Sequence, residues 1–180
     1  MGQISDRVKS LSASATFAMM QKSNELSAQG VDVVNMSVGE PDFNTPDYVK
    51  KAAIEAVEQN YSKYSPVPGY MWLRKACSDK LKRENGLDYT PAQIVVSTGA
   101  KQALCNVVMT VVNPGDEVLL PSPCWVSYPE MVKLAGGVPV VIKAGIDQDF
   151  KVTAAQIEAA ITPRTKALMI CSPSNPTGSV

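Results

Sequence analysis

From residue 94 onward the apolar positions alternate between two periods. Ile94-Val95-Val96 is a short apolar run leading into Ser97-Thr98-Gly99, and it reads as a strand. Ala103, Leu104, Val107, Val108 and Val111 then recur at spacings that lay one apolar stripe along a helix, which Asn113-Pro114-Gly115-Asp116 ends with a turn. Val118–Leu120 is a second strand, ended by Pro121 and Pro123. A helix over 126–135 stops at Gly136-Gly137, in the position of a C-cap, and Val138–Ile142 is a third strand. Thr153 and Gln156 have the spacing of a capping box opening a helix to Ile161, and Ala167–Cys171 is the fourth strand. This alternation predicts an α/β fold: a parallel sheet with helical crossovers. The strands are almost wholly apolar, which predicts that both sheet faces are buried.

Residues 1–93 have a different character. Thr45 is the expected N-cap of a helix starting at Pro46, with Val49, Ala52, Ala53, Ala56 and Val57 on one face. A second helix is expected from Tyr70 to Asn85, closed by Gly86, with a Pro- and Gly-containing loop from Tyr61 to Gly69 before it. Further upstream the pattern predicts a helix over Ser14–Gln29 and a short strand over Val31–Met36. Neither an internal repeat nor a low-complexity segment interrupts the chain.

Composition narrows the chemistry. The 180 residues are 45% apolar and 19% charged, enough for a globular core. Seventeen Lys plus Arg balance seventeen Asp plus Glu, so no field of one sign draws in nucleic acid or an acidic membrane surface. Histidine is absent, which excludes Ser-His-Asp and Cys-His nucleophile pairs and HExxH zinc sites. Cys77, Cys105, Cys124 and Cys171 form no CxxC and read as reduced core thiols of a cytosolic protein. The longest apolar runs are a few residues, far below the roughly 20 needed to span a bilayer, so a soluble, cytoplasmic protein is expected. Neither GxGxxG nor GxxxxGK[ST] occurs, which disfavours a nucleotide-binding α/β protein.

Four segments lie at the ends of these elements. They are Ser37-Val38-Gly39-Glu40-Pro41-Asp42-Phe43, Ser97 to Leu104, Pro114 to Val118 with Pro121-Ser122-Pro123-Cys124-Trp125, and Ser172-Pro173-Ser174-Asn175-Pro176-Thr177-Gly178. In this order and at these separations they resemble the class I/II aminotransferases, fold type I enzymes that use pyridoxal 5′-phosphate, nearest to the prokaryotic aspartate aminotransferase branch. The resemblance covers essentially the whole chain but only the first half or less of a family member. It implies an N-terminal fragment, with residues 1–44 as small-domain segment and substrate loop and 45–180 as an incomplete cofactor-binding large domain.

Each motif has a physical reading beside the one the resemblance implies. Ser97 to Lys101 turns a strand end into a helix N-terminus, whose amides and dipole suit a phosphate, although an ordinary turn looks the same. The resemblance assigns Gly99, Ala100 and Lys101 to the cofactor phosphate. Trp125 is a large flat ring at a strand end, suited to stacking or to filling an interior gap; the resemblance puts it against the cofactor ring and the substrate. Asn175 is either a turn-forming Asn-Pro or, as the resemblance implies, the donor to the cofactor's phenolic oxygen, near the substrate carboxylate. Gly39 alone is a turn glycine and Tyr64 alone a loop tyrosine. The resemblance gives Gly39 a backbone contact with substrate and sends Tyr64 across a homodimer interface to the neighbouring subunit's phosphate. It also implies cis peptide bonds at Ser122-Pro123 and Asn175-Pro176.

Family members carry the cofactor-binding lysine, the carboxylate on the pyridinium nitrogen and the substrate-binding arginine after the Asn-Pro-Thr-Gly motif. None of these can be carried over onto this sequence. The expected function is part of an aminotransferase moving an amino group from an L-amino acid, aspartate first, to a 2-oxo acid, with the isolated chain inactive. Other family activities (aromatic, alanine or diaminopimelate-pathway aminotransferase, or carbon-sulfur lyase) and a non-catalytic binding module stand as alternatives.

Overall fold

The computed structural model describes residues 4–13, 15–37 and 39–180. They divide into two compact units, residues 1–37 with 100–180 and residues 38–99. The first unit opens with α1 (Asp6–Lys9), N-capped by the Ser5 hydroxyl, and α2 (Ala15–Ala28). Residues 38–99 contribute α3 (Asp47–Glu58), α4 (Met71–Asn85) and a 3-10 turn at Pro91–Gln93. The rest of the chain forms α5 (Gly99–Val111), β1 (Glu117–Ser122), α6 (Ser127–Leu134), β2 (Val138–Lys143), α7 (Ala154–Ala160) and β3 (Thr165–Leu168).

The sheet is parallel, in the order β2-β1-β3, with Leu119 opposite both Val140 and Leu168. Its centre, β1, is the most buried segment: Val118, Leu119 and Leu120 expose essentially nothing. Val108 from α5, Val112 just after it, and Tyr128 and Val132 from α6 complete the core with Val118 and Leu120. Each such side chain, fully buried, contributes roughly 1.5–3 kcal/mol. The turn from α6 into β2 shows why its sequence reads Gly-Gly. Gly136 is left-handed at φ +85°, and the Gly136 and Gly137 amides donate to the Lys133 and Val132 carbonyls in a Schellman motif. A Cβ on Gly137 would lie 2.6 Å from the Val112 Cγ1, so a side chain there would collide with the core. The capping box at Thr153 forms as expected, with the Thr153 and Gln156 side chains bonding each other's backbone amides.

At the amino-terminal end of β1 the buried Glu117 carboxylate accepts from Thr162 Oγ1 at 2.6 Å and from Arg164 Nε and NH2 at 2.9 and 2.6 Å. The Thr162 hydrogen bond, then the Arg164 guanidinium, hold Glu117 below the usual carboxylate range.

Several sequence expectations are corrected. Ile94–Val96 is extended but enters no sheet; the Val96 amide donates instead to the Pro68 carbonyl, and a strand needs a ladder partner that the described residues do not supply. Val31–Met36 is likewise no strand. Thr45 is not the cap of α3: Pro46 occupies that position and supplies no side-chain cap. The fourth strand ends at Leu168, leaving Met169–Cys171 outside the ladder except for the Met169 amide on the Leu119 carbonyl. Both faces are buried only in β1. Val141 and Leu168 on the outer strands remain exposed, because only the central strand has neighbours on every side. Of the expected helix over Ser14–Gln29, Ser14 lies outside the described residues.

Candidate functional site

The carboxyl end of β1, the chain beyond β3 and the first turn of α5 carry Ala100, Lys101, Trp125 and Asn175, all in the unit built on the sheet, and Gly99 closes residues 38–99 and opens α5. Gly99 is at φ +77°, a left-handed conformation that favours glycine, and its amide donates to the Ser97 carbonyl at 2.9 Å. Nothing would crowd a Cβ there, so conformation rather than space calls for the glycine. The turn leaves the Ala100 and Lys101 amides at the helix start, where no carbonyl one turn back accepts them.

The Lys101 side chain turns toward Trp125: its Nζ lies 4.7 Å from the centre of the indole ring. Trp125 follows the cis Ser122-Pro123 bond at the end of β1. Its other ring contact is Tyr128, edge-on at 5.6 Å and 88°, while the Tyr128 amide donates to the Trp125 carbonyl. Burial, then the Cys171 and Cys124 thiols, push the Tyr128 phenol up to about 12, so it stays neutral. Burial also raises Cys124, which makes it a poor nucleophile at neutral pH.

Asn175 lies beyond β3, before a cis bond to Pro176, and lines a cavity of about 300 Å³ with Pro121, Cys124, Tyr128 and Cys171. A second cavity, about 500 Å³, is lined by Ser12, Lys101, Ser122, Cys124 and Glu130. Burial alone would raise Glu130, but hydrogen bonds from Lys133 and the Ser12 amide outweigh it and lower its pKa. The lysines lining these cavities are Lys101, over Trp125, and Lys151, whose ammonium pairs with Asp149 at 3.0 Å. Among the described residues no group of three or more Cys, Asp or Glu is placed to hold a metal.

Gly39 and Tyr64 belong to residues 38–99. Gly39 lies in an exposed loop, and the Tyr64 ring is fully exposed. Sequence reasoning missed Tyr128, Cys171 and the side chain of Lys101. The signal for Tyr128 was there, an aromatic three residues after Trp125 at a helix start; nothing local pointed to the other two.

The family model described as aminotransferase class I and II matches residues 31–180. The aspartate aminotransferase of Bacillus sp. (strain YM-2) is 51% identical over 177 residues, 98% of this chain and 45% of that protein. An aspartate/prephenate aminotransferase of Cereibacter sphaeroides is 51% identical over 99% of this chain and 45% of its own length. Aspartate aminotransferase from Thermus thermophilus with maleate superposes with a TM-score of 0.93 at 48% identity, covering 98% of this chain and 46% of that one. The chain therefore spans about 45% of the length of the curated relatives it matches. No described helix is long and apolar enough to cross a membrane. With the family model over residues 31–180, half-identical relatives and a superposing α/β fold, the chain belongs to the class I and II aminotransferase family.

Proposed function

We propose that this chain forms the phosphate- and ring-binding part of a pyridoxal 5′-phosphate-dependent aminotransferase that takes aspartate or a similar acidic amino acid. The observation that carries the reading is the approach of Lys101, in the first turn of α5, to the face of Trp125, which brings a helix N-terminus within reach of a flat ring. That donor set suits the family's cofactor. The Ala100 and Lys101 amides, on the turn that Gly99 permits, hold a phosphate; Trp125 stacks on a planar heterocycle; the Asn175 amide donates to a phenolate oxygen. When bound, the cofactor supplies an electron sink for the substrate's α-carbon. The chain's own part is to orient that ring and exclude water from one of its faces. Gly39 offers its backbone to the substrate, and Trp125 and Asn175 border it.

The Lys101 ammonium is the group in the larger cavity that suits a second carboxylate, beside Ser12 and Ser122. The relatives named for aspartate support an acidic substrate. The exposed Tyr64 supports a homodimer in which it completes the partner's phosphate site. Residues 1–44 belong on this reading to the small domain. Four free thiols support a reducing, cytoplasmic setting. With Lys101 assigned to a carboxylate and Lys151 paired with Asp149, neither is assigned the covalent base, and on this reading the 180-residue chain alone does not transaminate.

The test is amide NMR of the chain with pyridoxamine 5′-phosphate against pyridoxamine. The phosphate form should shift the Ala100 and Lys101 amides and the Trp125 indole, and the other should not. Equal or absent shifts would overturn the reading. Borohydride reduction with pyridoxal 5′-phosphate should label surface lysines substoichiometrically; one fully labelled lysine with turnover would mean a complete enzyme using a different base.

A further inference from the structure

The Trp125 ring packs against the core, and its plane is bounded by Lys101 above one face and by Tyr128 edge-on. An aromatic χ2 is a broad well, so such a ring keeps one plane only if a neighbour fixes it. Lys101 is a flexible chain and a weak restraint. Tyr128 is the opposite. It is buried in the core with Val108, Val118 and Val132, its backbone amide is bonded to the Trp125 carbonyl, and its ring is T-shaped to the indole. Its hydroxyl end lies by the thiols of Cys171 and Cys124, on the cavity that Asn175 also lines.

We propose that Tyr128 is a positioning residue that sets the plane Trp125 presents to the bound cofactor, tying the stacking ring to the segment beyond β3 that carries Asn175. The inference rests on the cofactor reading above and deepens it. Stacking of two flat rings loses contact as they tilt, so a residue that fixes the plane acts on affinity without touching the ligand. The ring carries this role and the hydroxyl does not, because the contact with Trp125 is edge to face.

The test uses the chain with Trp72→Phe, which leaves Trp125 as its only tryptophan. Tyr128, Tyr128→Phe and Tyr128→Leu versions are compared by near-UV circular dichroism, acrylamide quenching and quenching by pyridoxamine 5′-phosphate. Phe should keep the Trp125 band and bind within about twofold of the parent, while Leu should lose the band with far-UV signal intact and bind about three- to tenfold more weakly, the scale of an aromatic pair. A Leu version with the parent's band and affinity would overturn the proposal. If Leu unfolds, nuclear Overhauser contacts between the two rings and a rigid indole N–H in the unsubstituted chain decide: their presence supports the role, their absence overturns it. Failure of the ligand to quench any version overturns the cofactor reading and the role built on it. Binding without contrast between Leu and Phe overturns the role alone.

Discussion

The strand-bearing residues 100–180 and the helical residues 38–99 use apolar side chains in opposite ways. In the first, Val118, Leu119, Leu120 and Val132 are sealed from solvent, and α5 and α6 close on β1. In the second, no residue of α3 or α4 is buried, and Ile54, Val57, Val67 and Trp72 are exposed. The helices there are held by local devices: Gly86 left-handed at φ +67° behind α4, and Arg74 donating to the Gly69 and Pro91 carbonyls. Periodicity marks both segments as amphipathic, yet only 100–180 buries any of its helical stripe, at Val108 in α5 and at Tyr128, Met131 and Val132 in α6, while Val107 and Val111 stay exposed. A stripe is thus a statement about where a side chain points, and burial is a statement about what meets it. The frame of the candidate site stands on the buried segment, whereas Tyr64, whose proposed role needs a second subunit, stands on the open one.

The sharpest way to break this contrast is a matched pair of truncations. Leu120→Ala should cost about 2–5 kcal/mol, and Ile54→Ala less than about 0.5 kcal/mol, in urea unfolding of the chain. Similar costs would mean that 38–99 has a core of its own. Acid comes next. Because Glu117 is held below its ordinary pKa in the folded state, its stabilisation is complete above the unfolded glutamate value and is lost as pH falls through the folded one. Glu117→Gln should flatten the acid side of stability against pH, followed by Trp125 emission; an unchanged acid limb would contradict the assignment of that bond.

Caps sharpen the comparison from the other side, since they act without burial. Gly86→Ala and Thr153→Ala should each cost about 1 kcal/mol, one in each segment, followed by Trp72 and Trp125 fluorescence respectively. A much larger cost at Thr153 would show that α7 couples to the core. A small effect is expected at Lys101→Met, about 0.5–1 kcal/mol from the lost cation–ring contact, with a shift in Trp125 emission. An unmoved spectrum would argue that the ammonium does not rest on the indole.

Local chemistry marked the candidate positions without assigning them: the Gly99 turn, Trp125 after Pro121-x-Pro123 and Asn175 before a proline each read equally as an ordinary turn or an interior ring, and only the family resemblance gave them roles. Lys101 was legible only as a backbone position. That its side chain reaches 4.7 Å above Trp125 depends on a contact between residues far apart in sequence, which no period or spacing encodes. Cys171 was invisible for the same reason: a thiol in an apolar strand reads as core filling until Tyr128 is seen beside it.

What the sequence determined by itself are features whose energy is local: the helical stripes, the Thr153 capping box, the Gly136-Gly137 stop and the alternation that makes the sheet parallel. What only the tertiary structure decided are features that need two distant segments. Ile94–Val96 carries a strand's residues but enters no ladder among the described residues, because a ladder is a property of two chains of backbone. Among three apolar strands β1 alone is sealed, because its neighbours β2 and β3 arrive 21 and 48 residues later, counted from Glu117 to Val138 and Thr165, while their own outer edges have no described partner. Hydrophobicity sets which side chains gain by leaving water, and only the fold supplies the surface that takes them in.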